Sequence, residues 1–137
     1  CAHLAYTVAF VRAAPRLALR RSLPFLTFGL GVFLVLRPGL GSLAVPVGVY
    51  VAAICAMMWR AAARVGAGPA RHAAPWLGLA GALAFAASDT LIAFDRFHGG
   101  IAGVAVPVMI LYWLGQWGIA ASACGTPTAA RGKLSTT

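Results

Sequence analysis

The stretch Trp76-Leu77-Gly78-Leu79-Ala80-Gly81-Ala82-Leu83-Ala84-Phe85-Ala86-Ala87-Ser88-Asp89-Thr90-Leu91-Ile92-Ala93-Phe94 decides the fold. It is nineteen residues long and carries one charge, Asp89. A helix rises about 1.5 Å per residue and a hydrocarbon core is about 30 Å thick, so about 20 apolar residues cross it. Nothing in the run alternates polar with apolar, as a barrel strand would. A helix is then the only spanning element that satisfies every backbone amide in lipid.

Four further apolar segments lie around it: Cys1–Val11, Leu23–Leu36, Leu40–Trp59 and Ile101–Cys124. They predict an all-α, polytopic transmembrane helix bundle over residues 1–124, with five spans. Gly125 to Thr137 reads as a disordered cytoplasmic tail. Leu23–Leu36 is short for a full span, with Pro24 near its start, where a missing N–H is tolerated. Pro46 and Pro107 fall within their segments and are expected to kink the helix or free a carbonyl. Gly29 and Gly31, Gly78 and Gly81, and Gly115 and Gly118 are expected to let helix backbones approach closely.

Composition agrees. The chain of 137 residues is 61% hydrophobic and 9% charged, with a mean hydropathy of +0.87. A soluble domain has about 25% charged residues, so this chain has too few charges for a water-facing surface. Eleven Lys and Arg stand against two Asp, a net charge of +9. The basic residues sit in short connectors, without the basic patch and stacking aromatics that nucleic acid requires. If all five segments cross, Arg12, Arg16, Arg20, Arg21, Arg60, Arg64, Arg71, Arg131 and Lys133 share one side, and Arg37 and Arg96 the other. The positive-inside rule makes the first side cytoplasmic, with the C-terminus inside, in a multi-pass protein of the cell membrane.

The three cysteines, Cys1, Cys55 and Cys124, show no metal or redox spacing. In an apolar run a thiol behaves as a small hydrophobe. The chain begins at Cys1 inside an apolar run, with no charged n-region of a signal peptide. Truncation of a longer polytopic protein fits this better than a lipidated N-terminus.

Asp89 is the leading candidate for chemistry. Six residues back from the expected outer end, it lies about 9 Å below the interface. A carboxylate at such depth costs about 2.5 kcal/mol or more, and such groups usually face the bundle interior or a wet cavity. A helix-packing Asp bonded to a hydroxyl or an Arg is the plainer reading. Asp95, beside Arg96 and His98, reads as a solvated helix end. His3 lies about 14 Å above the inner boundary, either as a proton carrier or as a neutral histidine bonded to a neighbouring helix. Tyr112 and Gln116, spaced i,i+4, share one helix face. If the last two segments pack as neighbours, Asp89, Ser88, Tyr112 and Gln116 form a polar pocket with His3 as a fifth member. Trp113 and Trp117 are expected to meet lipid or neighbouring helices. No GxSxG, HExxH or Walker loop is present, and no metal or cofactor is implied.

The run from Gly81 through Ser88-Asp89, Asp95-Arg96 and Phe97 resembles a motif of the YhhN-like lysoplasmalogenase family. There a Gly-rich helix enters Ser-Asp, followed by an apolar turn, a basic residue and Phe. Tyr112 and Gln116 match the Tyr and Gln of the family's next helix. Ala2-His3-Leu4-Ala5-Tyr6 through Phe10 is similar to its helix with His, Tyr and a downstream Phe. The match follows the whole chain in order. Asp95 departs from it, standing where Asn is common.

The resemblance implies about eight spans, of which this chain lacks roughly the first three. It also implies a Gly-Asp motif carrying a second acid, which is absent here, so the fragment alone is expected to be inactive. The activity implied is hydrolysis of the vinyl-ether bond of lysoplasmalogens, giving a fatty aldehyde and a glycerophospho-base. Asp89 would be catalytic, His3, Ser88, Tyr112 and Gln116 substrate-binding, and the partners the bilayer and a lysophospholipid or ether-lipid substrate. Two rival readings stand beside it: a proton-coupled transporter using Asp89 and His3 as a relay, and a non-catalytic scaffold packed through small residues.

Overall fold

Prolines mark where the helices begin. Pro24, Pro46, Pro75 and Pro107 each fall second or third in a helix: α1 (Leu23–Leu40), α2 (Ala44–Arg64), α3 (Ala73–His98) and α4 (Ala105–Cys124). The first-turn N–H groups have no intrahelical acceptor, so a residue without one loses nothing there. The computed structural model describes residues 6–8, 19–66 and 73–124. Its regular structure among these is entirely helical. Most of the segment Cys1–Val11, including His3, and the tail 125–137 lie outside the described residues.

Pro46 and Pro107 are both third in their helices, where no intrahelical N–H bond exists for a proline to break. The one deeper proline, Pro38, sits in the last turn of α1, which runs through Arg37 to Leu40, four residues past the apolar segment. At 18 residues α1 is about 27 Å long, and at 21 residues α2 is about 31 Å long.

α1 and α2 form an antiparallel hairpin. The chain reverses at Gly41, whose φ of 50° an L side chain would resist, through a short 3-10 turn, Gly41–Leu43. Phe33 packs over Gly48, Gly29 over Val51 and Cys55, and the Cys55 thiol donates to the Phe25 carbonyl at 3.1 Å. α3 packs on α2, and the most extensive contact is between α3 and α4. The core is built from Ile54, Cys55, Met57, Met58 and Ala61 of α2, Ala82, Phe85 and Ala86 of α3, and Ile119 of α4.

Glycine sets the α3–α4 spacing. A Cβ on Gly81 would stand 2.7 Å from the Ile119 nitrogen and 2.9 Å from the Gly115 oxygen, and one on Gly118 would stand 2.9 Å from the Gly81 Cα. Gly29, Gly78 and Gly115 are similarly close to neighbouring helices. Gly31 differs from the expectation: nothing lies within 4 Å of its would-be Cβ.

The outside of the bundle is apolar. Leu23, Leu26, Leu30 and Leu34 of α1, Val45 and Val49 of α2, and Val106, Met109, Ile110, Trp113 and Trp117 of α4 are all exposed. A water-soluble monomer does not present so continuous an apolar surface. Three continuous helical stretches, Leu19–Arg64, Ala73–His98 and Ala105–Ala123, are long and apolar enough to cross a membrane, the first of them folded back at Gly41.

Arg60 and Arg64 require a correction. They belong to α2 and not to a connector, and are only 3% and 7% exposed. Arg64 extends over Gly78 to the Ser122 hydroxyl and carbonyl, at 3.4 and 3.5 Å. Arg21 reaches the same end and donates to the carbonyls of Ala62 and Val65. These bonds cap the open C-terminal carbonyls of α2, where guanidinium groups are favourable. At the opposite end Gly39 touches the Phe97 carbonyl, which brings the α1 end carrying Arg37 beside the α3 end carrying Arg96. The bundle thus has one strongly basic end and one weakly basic end.

Candidate active site

Asp89 sits on α3 nine residues before its end at His98, about 14 Å along the axis. α3 continues past the apolar run through Asp95, Arg96, Phe97 and His98, so the helix ends beyond the expected interface. Asp89 as a residue is half-buried, and the Tyr50 hydroxyl of α2 donates to its Oδ2 at 2.9 Å in an exposed bond. This bond brings a residue of α2, Tyr50, to the carboxyl, beside the α4 residues that the sequence pointed to.

α3 and α4 pack in an antiparallel register. Gly81 lies against Gly115 to Ile119, Phe85 against Tyr112 and Gly115, and Ser88 against Val108. Asp89 is therefore level with the start of α4. Tyr112 and Gln116 lie four and eight residues beyond Val108, about 6 and 12 Å deeper along the axis. Ser88 is fully buried, and its hydroxyl donates to the Val108 carbonyl at 3.1 Å, tying α3 to α4. Tyr112 packs on Phe85 with ring centroids 5.4 Å apart.

Gln116 has a different partner. Its Oε1 accepts from the Tyr6 hydroxyl, and the Tyr6 ring meets Phe85 edge-on at 6.5 Å. The three stretches that carried the family resemblance, remote in sequence, thus converge through Tyr6, Phe85 and Tyr112–Gln116. Asp89 stands one turn above Phe85 on the same face of α3. His3 lies outside the described residues. Trp113 and Trp117 point outward, 62% and 63% exposed, as expected of lipid-facing rings.

Sequence reasoning missed Tyr50. The signal was present, since Tyr50 is the only side-chain hydroxyl deep within the apolar run Leu40–Trp59. Asp95 is accounted for locally: its Oδ1 accepts the Ile101 N–H at 2.7 Å, and its carbonyl accepts the Gly100 N–H at 3.1 Å. This fastens the connector between α3 and α4. Asn offers the same acceptor, so Asp95→Asn should leave both activity and unfolding midpoint near those of the parent. A thermal melt and an activity assay on the purified variant check this, and a large loss in either would give Asp95 a further role.

Fold and surface together define an all-α integral membrane protein with a carboxyl–phenol pair set between two of its helices. The YhhN family profile matches residues 1–123. The chain belongs to the YhhN family. Neither the curated proteins nor the solved structures include a significant match to it.

Proposed function

We propose that the protein is an integral-membrane hydrolase of lysoplasmalogenase type, acting on the vinyl-ether bond of a lysophospholipid, with Asp89 as a catalytic residue. The observation that carries the reading is the Asp89 carboxyl at depth, held by Tyr50, in a chain of the YhhN family. Magnitudes argue against a packing role. An interhelical side-chain hydrogen bond in membranes contributes about 0.6 kcal/mol on average and about 1.7 at most. A carboxylate at depth costs about 2.5 kcal/mol or more. The Tyr50 bond by itself is smaller than that cost, which favours a role for the carboxyl beyond packing.

The chemistry needs an acid and a base. An acid protonates the outer vinyl carbon, and the positive charge passes to the ether oxygen and its carbon as an oxocarbenium ion. Water adds to that carbon and gives its proton to a base. The resulting hemiacetal then collapses to a fatty aldehyde and the glycerol hydroxyl. Asp89 is suited to one of these proton roles or to stabilising the cation. A second group, which the family resemblance implies, takes the other. His3, Ser88, Tyr112 and Gln116 remain the proposed substrate-binding set: Tyr112 and Gln116 line the deeper part of the face, and Ser88 fixes the α3–α4 register on which it depends.

Fatty aldehyde released from a lysoplasmalogen by the full-length, detergent-solubilised protein is the test. Absence of aldehyde, with gradient-dependent proton flux in liposomes instead, would replace the hydrolase by a transporter using Asp89 and His3. The two unequally basic ends support an orientation in the cell membrane with the Arg60/Arg64 end cytoplasmic. Reporter fusions should then place Gly99 outside and Thr137 inside, and both on one side would sink this orientation.

A further inference from the structure

We propose that Tyr50 is a positioning residue for Asp89, fixing the plane of its carboxyl for reaction; this rests on the reading of Asp89 as catalytic. The hydroxyl reaches Oδ2 at 2.9 Å from a different helix, 39 residues away in sequence. An aspartate carboxyl turns about two side-chain torsions, and its second torsion is broad and weakly preferred. A hydrogen bond to one named oxygen restricts that freedom. Proton transfer to a carbon atom, or from a water, requires the reacting atoms in a narrow geometry, and an error of about 1 Å costs about 100-fold.

The surroundings favour orientation over cohesion. Tyr50 is 43% exposed and its neighbour Val49 67% exposed. The buried core residues of α2 begin at Ile54, a full turn further on, and of the residues beside Tyr50 it is Val51 that packs against the core. The pair therefore sits at the margin of the bundle, where the alkenyl chain of a lipid arrives from the side. Removing the hydroxyl leaves the core intact.

The experiment compares the full-length parent with Tyr50→Phe, Asp89→Asn and a protein carrying 3-fluorotyrosine at position 50, using aldehyde release from a lysoplasmalogen. Tyr50→Phe should lower kcat about 10–100-fold with KM within about twofold of the parent and an unchanged unfolding midpoint. The fluorotyrosine protein, which keeps ring and hydroxyl, should recover most of kcat. An inactive Asp89→Asn beside a Tyr50→Phe of parental kcat overturns the role of Tyr50 alone. A raised KM at parental kcat overturns positioning in favour of substrate binding. A kcat loss that the fluorotyrosine does not reverse, or that follows a matched fall in the unfolding midpoint, overturns it as well. Parental activity in both Asp89→Asn and Tyr50→Phe removes the catalytic reading of Asp89 and, with it, this one.

Discussion

Asp89→Asn in the full-length protein should abolish aldehyde release while leaving membrane insertion and folding intact. Asn matches Asp in shape and offers the Tyr50 hydroxyl the same acceptor, so the α2–α3 bond at 2.9 Å has a replacement. What Asn lacks is the chemistry, since it neither donates an acid proton nor carries a negative charge. A positioned acid or base contributes about 10²–10⁴-fold, and the loss should lie in that range. Folding should improve slightly if it changes, because the variant removes a carboxylate from the apolar layer. The measurement is kcat on lysoplasmalogen together with the thermal midpoint in one detergent. A stable Asp89→Asn protein with parental kcat would end the catalytic assignment. A variant that fails to insert would show that Asp89 serves the fold.

The axial place of Asp89 was legible in the sequence, and its bond from Tyr50 was not. The apolar run Trp76–Phe94 is long enough to identify α3 without any other element, and first-turn prolines mark the starts. Helix ends were less legible. Hydropathy reports transfer into lipid, whereas a helix persists as long as its backbone bonds do. α2 therefore runs on through Arg60 and Arg64, and α3 through Asp95 to His98. The burial of those arginines was invisible because it depends on Gly78 and Ser122 of other helices. Spacing within a helix showed that Tyr112 and Gln116 share a face, and the packing of α3 on α4 followed from their short connector. Register did not follow, since it is set by where Gly81, Gly115 and Gly118 let the backbones touch. That register puts Asp89 level with the start of α4, and the bond from Tyr50 of α2 was not legible because it depends on how α2 packs against α3.

Gly81→Ala should destabilise the bundle strongly, and Gly31→Ala should not. Both glycines lie in helices, where replacing Gly by Ala favours the helix by about 1 kcal/mol. Gly31 would show that gain, because nothing lies within 4 Å of its would-be Cβ. At Gly81 the added carbon would stand 2.7 Å from the Ile119 nitrogen and 2.9 Å from both the Gly115 oxygen and the Gly118 carbonyl carbon. All three neighbours are backbone atoms, so no side chain can swing aside, and α4 must move away from α3 as a unit. Overpacking of this kind costs about 1–3 kcal/mol, occasionally more. Separation of the helices would also loosen the Ser88–Val108 bond and the Phe85–Tyr112 contact. Gly81→Ala should therefore lower kcat as well as the midpoint, although no atom of Gly81 touches substrate. Thermal unfolding of both variants in one detergent, with activity below the lower midpoint, reads both effects. Equal midpoints for the two variants would show that α3 and α4 are not packed through these glycines, and the register that sets Ser88 against Val108 would fall with them.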